Sequence, residues 1–140
     1  MTDQVLTRKL LPLCHGDVVL TDTGGCTILS GDTILVAAAH RYDCVRVVWL
    51  TDVDGVYDRP PNQSEARLIP HLRVEASAAI QTDSLSHDVT GGIRAKLDAA
   101  IMCVHAGASQ VFIVKVGTSD AAAAMTDADV SGITATLVSM

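Results

Sequence analysis

Apolar residues in this chain fall into short runs separated by polar turns, a pattern typical of alternating strands and helices. The run at 45–50 is interrupted only by Arg46, and the run at 111–114 is fully apolar. Both predict buried strands of a parallel sheet. Between them, residues 93–105 carry apolar side chains at intervals of three and four, which predicts an amphipathic helix ended by Gly107.

The other predicted elements complete an alternating order of strands and helices. The order β-β-α-β-loop-α-β-α-β predicts an α/β domain with a mainly parallel sheet. These elements are a helix end and strand entry within 1–13, a hairpin of 18–20 and 26–29 around a turn at 22–25, a helix at 32–42, a short strand or turn and a short helix within 68–81, a polar loop at 82–92, a helix at 120–125 and a strand at 132–138.

Length, composition and charge narrow the class of protein. The 140 residues fit one domain, 49% are hydrophobic and only 3% are aromatic, so the core is expected to consist of aliphatic residues, with Trp49 serving in packing. The net charge of −6 argues against nucleic acid or an anionic membrane as partner. No apolar run approaches the roughly 18 residues of a membrane span, and no signal-peptide pattern occurs, so we expect a cytoplasmic protein.

Four cysteines, at positions 14, 26, 44 and 103, show neither CxxC pairs nor zinc-ligand spacing. Each lies among apolar neighbours. We therefore interpret them as small buried thiols in a reducing compartment.

The stretch "LTDVDGVYD" at 50–58 follows the first buried strand directly. Ligands of open α/β sheets bind beyond the carboxyl ends of strands, so Thr51, Asp52, Asp54 and Tyr57 are candidate ligand contacts. Gly55 would let the backbone pass close to a ligand. A simple polar turn is the alternative interpretation.

The stretch "HDVTGGIRAKLDAA" at 87–100 leads into the 93–105 helix. Gly91 and Gly92 would expose backbone amides at the helix N-terminus, Thr90 can cap it, and Lys96 lies one turn further on. Together they have the character of a phosphate cradle, although not of a P-loop. An ordinary capped helix with a solvated lysine remains open.

Gly31 and Asp32 stand at the predicted start of the 32–42 helix. An acidic residue there is a common helix cap. The same carboxylate could instead orient cationic side chains near a phosphoryl group in transfer.

The segments "GDVVL", "ILSGD", "LTDVDGVYD" and "DVTGGIRAKLDAA", in this order, resemble the C-terminal half of the amino acid kinase family, nearest to its isopentenyl phosphate kinases. The resemblance covers residues 11–138, and fosfomycin-type kinases share much of it. It implies a three-layer αβα sandwich, the C-terminal half of the amino acid kinase fold.

The resemblance also implies roles for the candidate residues. Asp52 and Tyr57 would contact the adenosine side of ATP, and Lys96 would neutralise charge on the γ-phosphoryl group. Asp32 would organise the active-site lysines, and Gly31 would lie beside the substrate. The implied nucleotide-binding set is Thr51, Asp52, Asp54, Gly55, Tyr57, Thr90, Gly91, Gly92 and Lys96.

The implied activity is Mg²⁺- and ATP-dependent phosphorylation of isopentenyl phosphate to the diphosphate. Kinases of another small phosphate, phosphonate or carboxylate remain open, as does a non-catalytic nucleotide-binding module. The implied partners are ATP and a small phosphorylated substrate, with homo-oligomerisation left open.

The chain departs from the family pattern in one respect. Family members open with a lysine-bearing "GGS" loop and carry a glycine-rich substrate loop, whereas the Gly-Gly pairs here stand at 24–25 and 91–92. We therefore expect residues 1–140 to be a single nucleotide-binding half without the substrate half, and to be inactive alone.

Overall fold

The computed structural model describes residues 2–74, 91–126 and 129–140. No helix in these ranges is long and apolar enough to cross a membrane. The helices are α1 (Thr2–Thr7), α2 (Gly31–Arg41), α3 (Gly91–His105) and α4 (Ser119–Thr126), and the strands are β1 (Asp17–Leu20), β2 (Cys26–Leu29), β3 (Arg46–Thr51), β4 (His71–Arg73), β5 (Gln110–Lys115) and β6 (Ala135–Ser139).

Four strands form the central sheet in the order β3-β5-β6-β4. β3 and β5 are parallel, as are β4 and β6, whereas β5 and β6 are antiparallel. The return after α4 explains the antiparallel pair. Asp120, at the start of α4, accepts a hydrogen bond from the backbone N–H of Thr134 at 3.1 Å, which brings the chain back to the end of β5 before β6 begins. The predicted α/β class is confirmed, as a mixed sheet with parallel strand pairs.

Helices cover both faces of this sheet. Along β5, Val111 and Ile113 join the larger core cluster with residues of α2 and α3. Phe112 and Val114 join a second cluster with residues of α4 on the opposite face. The alternation follows from the two-residue period of a strand, and it produces the predicted three layers.

The helix ends show how the site residues are presented. Ser30, not Asp32, caps α2, because its Oγ accepts the Thr33 N–H at 3.1 Å. The Asp32 side chain is thereby left to make contacts elsewhere. α3 begins at Gly91, two residues before the predicted start, so the glycine pair forms its first turn. Gly107 has a φ of 105° and ends α3 as predicted.

Most predicted elements end within two residues of the observed ones. They are the hairpin, the helices at 32–42, 93–105 and 120–125, and the strands at 45–50 and 111–114. The last strand begins three residues later than predicted. The short strand within 68–81 is β4. The short helix predicted after β4 and the polar loop predicted at 82–92 lie outside the described residues. The exceptions are Val74, Gly91 and Gly92, which the structure describes.

The interpretation of all four cysteines as buried is wrong for two of them. Cys103 is fully buried and Cys44 is half-buried, but Cys14 and Cys26 are exposed. Burial raises the pKa of the Cys103 thiol to about 11, and nearby Cys44 adds to the shift. Cys14 lies on the arm, which we define as residues 8–16 between α1 and β1, and Cys26 lies on the hairpin. Their apolar neighbours in sequence are not covered by the core.

The arm and hairpin together present what we call the hairpin surface, formed by Leu11, Leu13, Val18, Leu20 and Ile28. All five side chains are exposed, and Leu13 retains 94% of its accessible area. β1 and β2 pair only with each other among the described strands, in a sheet of two. Val18, Leu20 and Ile28 lie on one face of the hairpin, because Val18 pairs with Ile28 and Leu20 follows two residues later. An exposed apolar face of this kind is typical of an interaction surface.

We expect the chain to self-associate through the hairpin surface. The double variant Leu13→Gln/Leu20→Gln should shift sedimentation velocity profiles toward the monomer, because it removes two of the most exposed apolar groups. Met102→Gln, at an exposed apolar position on α3, is the matched control and should leave the profile unchanged. A native chain that stays monomeric at high concentration and binds no apolar dye would contradict this expectation.

Candidate functional site

The acidic loop after β3 is fixed to the sheet by three hydrogen bonds. Thr51 Oγ1 donates to the Val53 carbonyl at 2.7 Å, and the Thr51 carbonyl accepts the Val116 N–H at 2.8 Å. The Val56 N–H donates to Thr136 Oγ1 at 2.8 Å, and Thr136 is fully buried in β6. The loop is therefore a defined surface at the carboxyl ends of β3 and β5.

Gly55 is required for the close approach of this loop to β6. A Cβ at Gly55 would lie 2.5 Å from Thr136 Oγ1 and 2.9 Å from the Thr136 nitrogen. Neither atom can yield easily, because Thr136 also donates to the Ile69 carbonyl at 2.7 Å. From the sequence, Gly55 was expected to let the backbone pass close to a ligand. In the structure its close neighbour is Thr136.

A cleft of about 600 Å³ opens beside the loop, between it, the segment that follows it, and the first two turns of α3. Five of the predicted site residues line it: Thr51, Asp52, Gly55, Tyr57 and Lys96. A cavity of this size is within the range of small-molecule sites.

A second cluster lies at the α3 side of the cleft. Lys96 Nζ lies 3.2 Å from Asp32 Oδ2 and 3.4 Å from Oδ1. Trp49 Nε1 donates to the same Asp32 Oδ1 at 2.9 Å. Both charged side chains are about one-third exposed, at 30% for Lys96 and 32% for Asp32. The two predicted catalytic residues, which are 64 positions apart in sequence, are thus brought together.

Asp54 is not among the described residues that line the cleft, and its carboxylate contacts Tyr57 and Lys115. Its Oδ2 accepts a hydrogen bond from the Tyr57 hydroxyl at 2.9 Å, and its Oδ1 lies 3.9 Å from Lys115 Nζ. Burial raises the pKa of the Tyr57 phenol, and the Asp54 carboxylate raises it further. Asp54 therefore holds the Tyr57 ring, which lines the cleft.

The glycine candidates lie at helix starts. Gly31 is the first residue of α2, and Gly91 and Gly92 are the first two of α3. Thr90 lies outside the described residues. The first turn of a helix has backbone N–H groups without intrahelical partners, and Lys96 on the second turn of the same helix lines the cleft.

Sequence reasoning missed part of the lining. No site role was predicted for the residues after Asp58, yet Arg59 and the next four residues line the cleft. Arg59 is held by ion pairs to Asp58 at 3.4 Å and Glu65 at 3.3 Å. The signal available in the sequence was the proline pair, which fixes the chain direction directly after the loop. The missed lining residues are Val53, Val56, Arg59, Pro60, Pro61, Asn62, Gln63 and Ile93.

Trp49 was interpreted as a packing residue, and it is only 3% exposed within the larger core cluster. Its hydrogen bond to Asp32 adds a polar contact that no periodicity could have revealed. Metal-ligating side chains do not form a group of three or more anywhere in the described ranges.

Comparison with known proteins places this geometry in a family. Residues 2–115 match the amino acid kinase family. The chain belongs to the amino acid kinase family.

Among curated proteins similar to this chain, an isopentenyl phosphate kinase of Arabidopsis thaliana is 36% identical, covering 83% of this chain and 40% of that protein. One from Methanocaldococcus jannaschii is 35% identical over 68% of this chain and 35% of its own length. A glutamate 5-kinase of Mycobacterium ulcerans is 34% identical over 73% of this chain. The chain thus spans well under half the length of these relatives.

Solved structures show the same fold. The product complex of the Thermoplasma acidophilum isopentenyl phosphate kinase superposes with a TM-score of 0.73 at 19% identity, covering 97% of this chain and 50% of that one. Carbamate kinase from Giardia lamblia bound to AMP-PNP gives 0.63 at 18% identity, covering 86% and 40%. At these identities the likeness establishes the amino acid kinase fold and nothing finer.

Gly55→Ala should destabilise the chain by about 1–3 kcal/mol, because the added methyl group overlaps Thr136 in a packed core. Gly31→Ala is the matched control, since a Cβ there meets nothing within 4 Å, and it should be neutral or slightly stabilising. Urea unfolding of both variants measures the difference. Equal stability of Gly55→Ala and the native chain would show that the contact is not constraining.

Removing the Asp54 carboxylate should lower the pKa of Tyr57. Asp54→Ala deletes the acceptor and the negative charge that disfavour the phenolate, while the contribution of burial remains. The chain has two tyrosines, so phenolate absorbance near 295 nm should be titrated in a Tyr42→Phe background. An unchanged titration curve would mean that Asp54 does not hold Tyr57 in solution.

Proposed function

We propose that this chain is the nucleotide-binding half of an ATP-dependent small-molecule kinase, and that the phosphoryl acceptor is isopentenyl phosphate. One observation carries the nucleotide part of this proposal. Lys96, paired with Asp32, lines the same cleft as the loop from Thr51 to Tyr57. A cation therefore stands at one side of a cleft whose opposite wall has room for a nucleoside.

The proposed binding mode follows from the two sides of the cleft. The adenosine lies along the loop, with Asp52 and Tyr57 as its contacts and Asp54 as the support of Tyr57. The phosphates lie toward the start of α3, where the amides of Gly91 and Gly92 and the side chains of Thr90 and Lys96 receive them. A helix N-terminus favours anions through its unpaired amides and its dipole.

Phosphoryl transfer depends mainly on positioning and on charge stabilisation. In the proposed mechanism Lys96 stabilises negative charge on the γ-phosphoryl group. Asp32 holds the ammonium group in place through the ion pair at 3.2 Å. Gly31, at the start of α2, lies beside the acceptor substrate.

Magnesium is proposed to enter as the MgATP complex. Mg²⁺ in kinases is commonly bound by one or two carboxylates and the phosphates of the nucleotide. Asp52, the one acidic residue among the described residues that line the cleft, is assigned to the adenosine side, so the ion would be held mainly by the phosphates. The ion would offset charge on the phosphate groups.

The acceptor is proposed from the relatives. Four isopentenyl phosphate kinases are 31–36% identical to this chain, which supports isopentenyl phosphate as the acceptor. A role in isoprenoid biosynthesis and a cytoplasmic location are part of the same proposal. The glutamate 5-kinases, at 32–34%, keep a carboxylate acceptor as the second candidate. Residues 1–140 are proposed to form one nucleotide-binding unit that works with a substrate-binding half.

Lys96→Met should weaken MgATP binding by about tenfold, the effect of one charge-assisted hydrogen bond, and should leave AMP binding unchanged. The reason is that Lys96 would meet the terminal phosphate, which AMP lacks. Asp52→Ala should weaken ATP and AMP by the same factor, because it faces the part they share. Isothermal titration of both ligands with each variant separates the two sides of the cleft. A Lys96→Met chain with native ATP affinity would refute the assignment of the phosphate side.

The chain alone should phosphorylate isopentenyl phosphate at trace rates or not at all. Adding the N-terminal half of a relative, taken up to the start of the matched region, should restore formation of the diphosphate, because it supplies the substrate side. Product formation is followed by chromatography, with glutamate as the competing acceptor. Restored activity on glutamate but not on isopentenyl phosphate would replace the proposed substrate, and robust turnover by the chain alone would refute the division into halves.

A further inference from the structure

The Asp32 carboxylate receives two donors of different kinds. Lys96 Nζ is a flexible ammonium group that contacts both oxygens, at 3.2 and 3.4 Å. Trp49 Nε1 contacts Oδ1 alone, at 2.9 Å. The shortest of the three contacts is therefore the one made by the indole.

The two donors also differ in freedom. Trp49 is 3% exposed and belongs to the larger core cluster. Its ring is therefore fixed by packing in a cluster that includes residues of β3, α2 and α3. Lys96 and Asp32 are each about one-third exposed. A carboxylate at the end of a short side chain turns broadly about its last torsion. A rigid donor on one oxygen restricts that rotation and leaves the other oxygen facing Lys96.

Packing alone does not explain a tryptophan at this position. Strand positions inside aliphatic cores are commonly filled by leucine or phenylalanine, which carry no polar atom that needs a partner. The indole N–H is a donor only, and here its acceptor is the carboxylate that pairs with the cleft residue Lys96 rather than a backbone carbonyl.

We propose that Trp49 is a positioning residue for this site. Its indole N–H fixes Asp32, and Asp32 in turn holds the Lys96 ammonium at the cleft. The proposal rests on the proposed nucleotide function, since it assigns Lys96 to the phosphates. It adds a buried residue of β3 to the residues on which phosphate recognition depends.

The sharpest test removes only the N–H. Trp49 is the single tryptophan of the chain, so expression with 3-benzothienylalanine in place of tryptophan replaces one ring nitrogen by sulfur at one position. MgATP affinity should fall by about 3- to 10-fold, within the range for residues that act through another side chain, and AMP affinity should stay unchanged. Trp49→Phe is the second variant, and thermal unfolding of both confirms that they are folded.

A spectroscopic readout follows the contact directly. A single indole N–H signal is expected in a ¹H–¹⁵N spectrum, because the chain has one tryptophan. Asp32→Asn should shift it because the acceptor group changes, and Lys96→Met should shift it because the same carboxylate loses its other donor. Arg59→Gln is the control and should not shift it, because Arg59 pairs with Asp58 and Glu65 at the other part of the cleft.

The outcomes separate the two proposals. Two results would overturn the positioning role while leaving the nucleotide site intact. One is native ATP affinity in the benzothienylalanine chain, and the other is an indole signal that Asp32→Asn does not shift. A native chain that binds no MgATP would overturn the proposed function and the positioning role with it. Weaker ATP binding with unchanged AMP binding and a shifted indole signal would support the positioning role.

Discussion

One carboxylate joins three elements, of which β3 and α3 contribute residues that line the cleft. Asp32 belongs to the first turn of α2, Lys96 to the second turn of α3 and Trp49 to β3. Because Asp32 and Lys96 are about one-third exposed, their ion pair contributes little stability, and pairs of this kind are typically worth about 0.2–1 kcal/mol. Its importance is geometric, since it sets where a positive charge stands relative to the loop across the cleft.

The opposite wall depends on a second constraint, at β6. The reversal of the chain after α4 lays β6 antiparallel to β5 and brings Thr136 beneath the acidic loop. Thr136 accepts from the Val56 N–H and donates to the Ile69 carbonyl, so a single buried hydroxyl fixes both the loop and the segment that leads to β4. Gly55 makes that approach sterically feasible. The loop can then present Thr51, Asp52 and Tyr57 to the cleft from a rigid base.

Much of this was predictable from sequence, because it depends on local periodicity and on motifs. The apolar runs located β3 and β5, the three-and-four spacing located α3, and the motif order identified the family. The sequence did not predict contacts between residues that are distant along the chain. Nothing local shows that Trp49 reaches Asp32, that Asp54 accepts a hydrogen bond from Tyr57, or that Thr136 lies against Gly55. The exposure of Cys14 and Cys26 was not predicted for the same reason, because apolar neighbours in sequence do not show which residues pack over a cysteine.

The most direct test of the nucleotide site is a crystal structure of the chain with AMP-PNP and Mg²⁺. We predict adenosine density along the loop from Thr51 to Tyr57, with the terminal phosphate within hydrogen-bond distance of Lys96 Nζ and near the amides at the start of α3. Asp32 should remain in contact with both Lys96 and Trp49. A nucleotide bound outside the cleft, or one bound in reverse with its base at Lys96, would contradict this account.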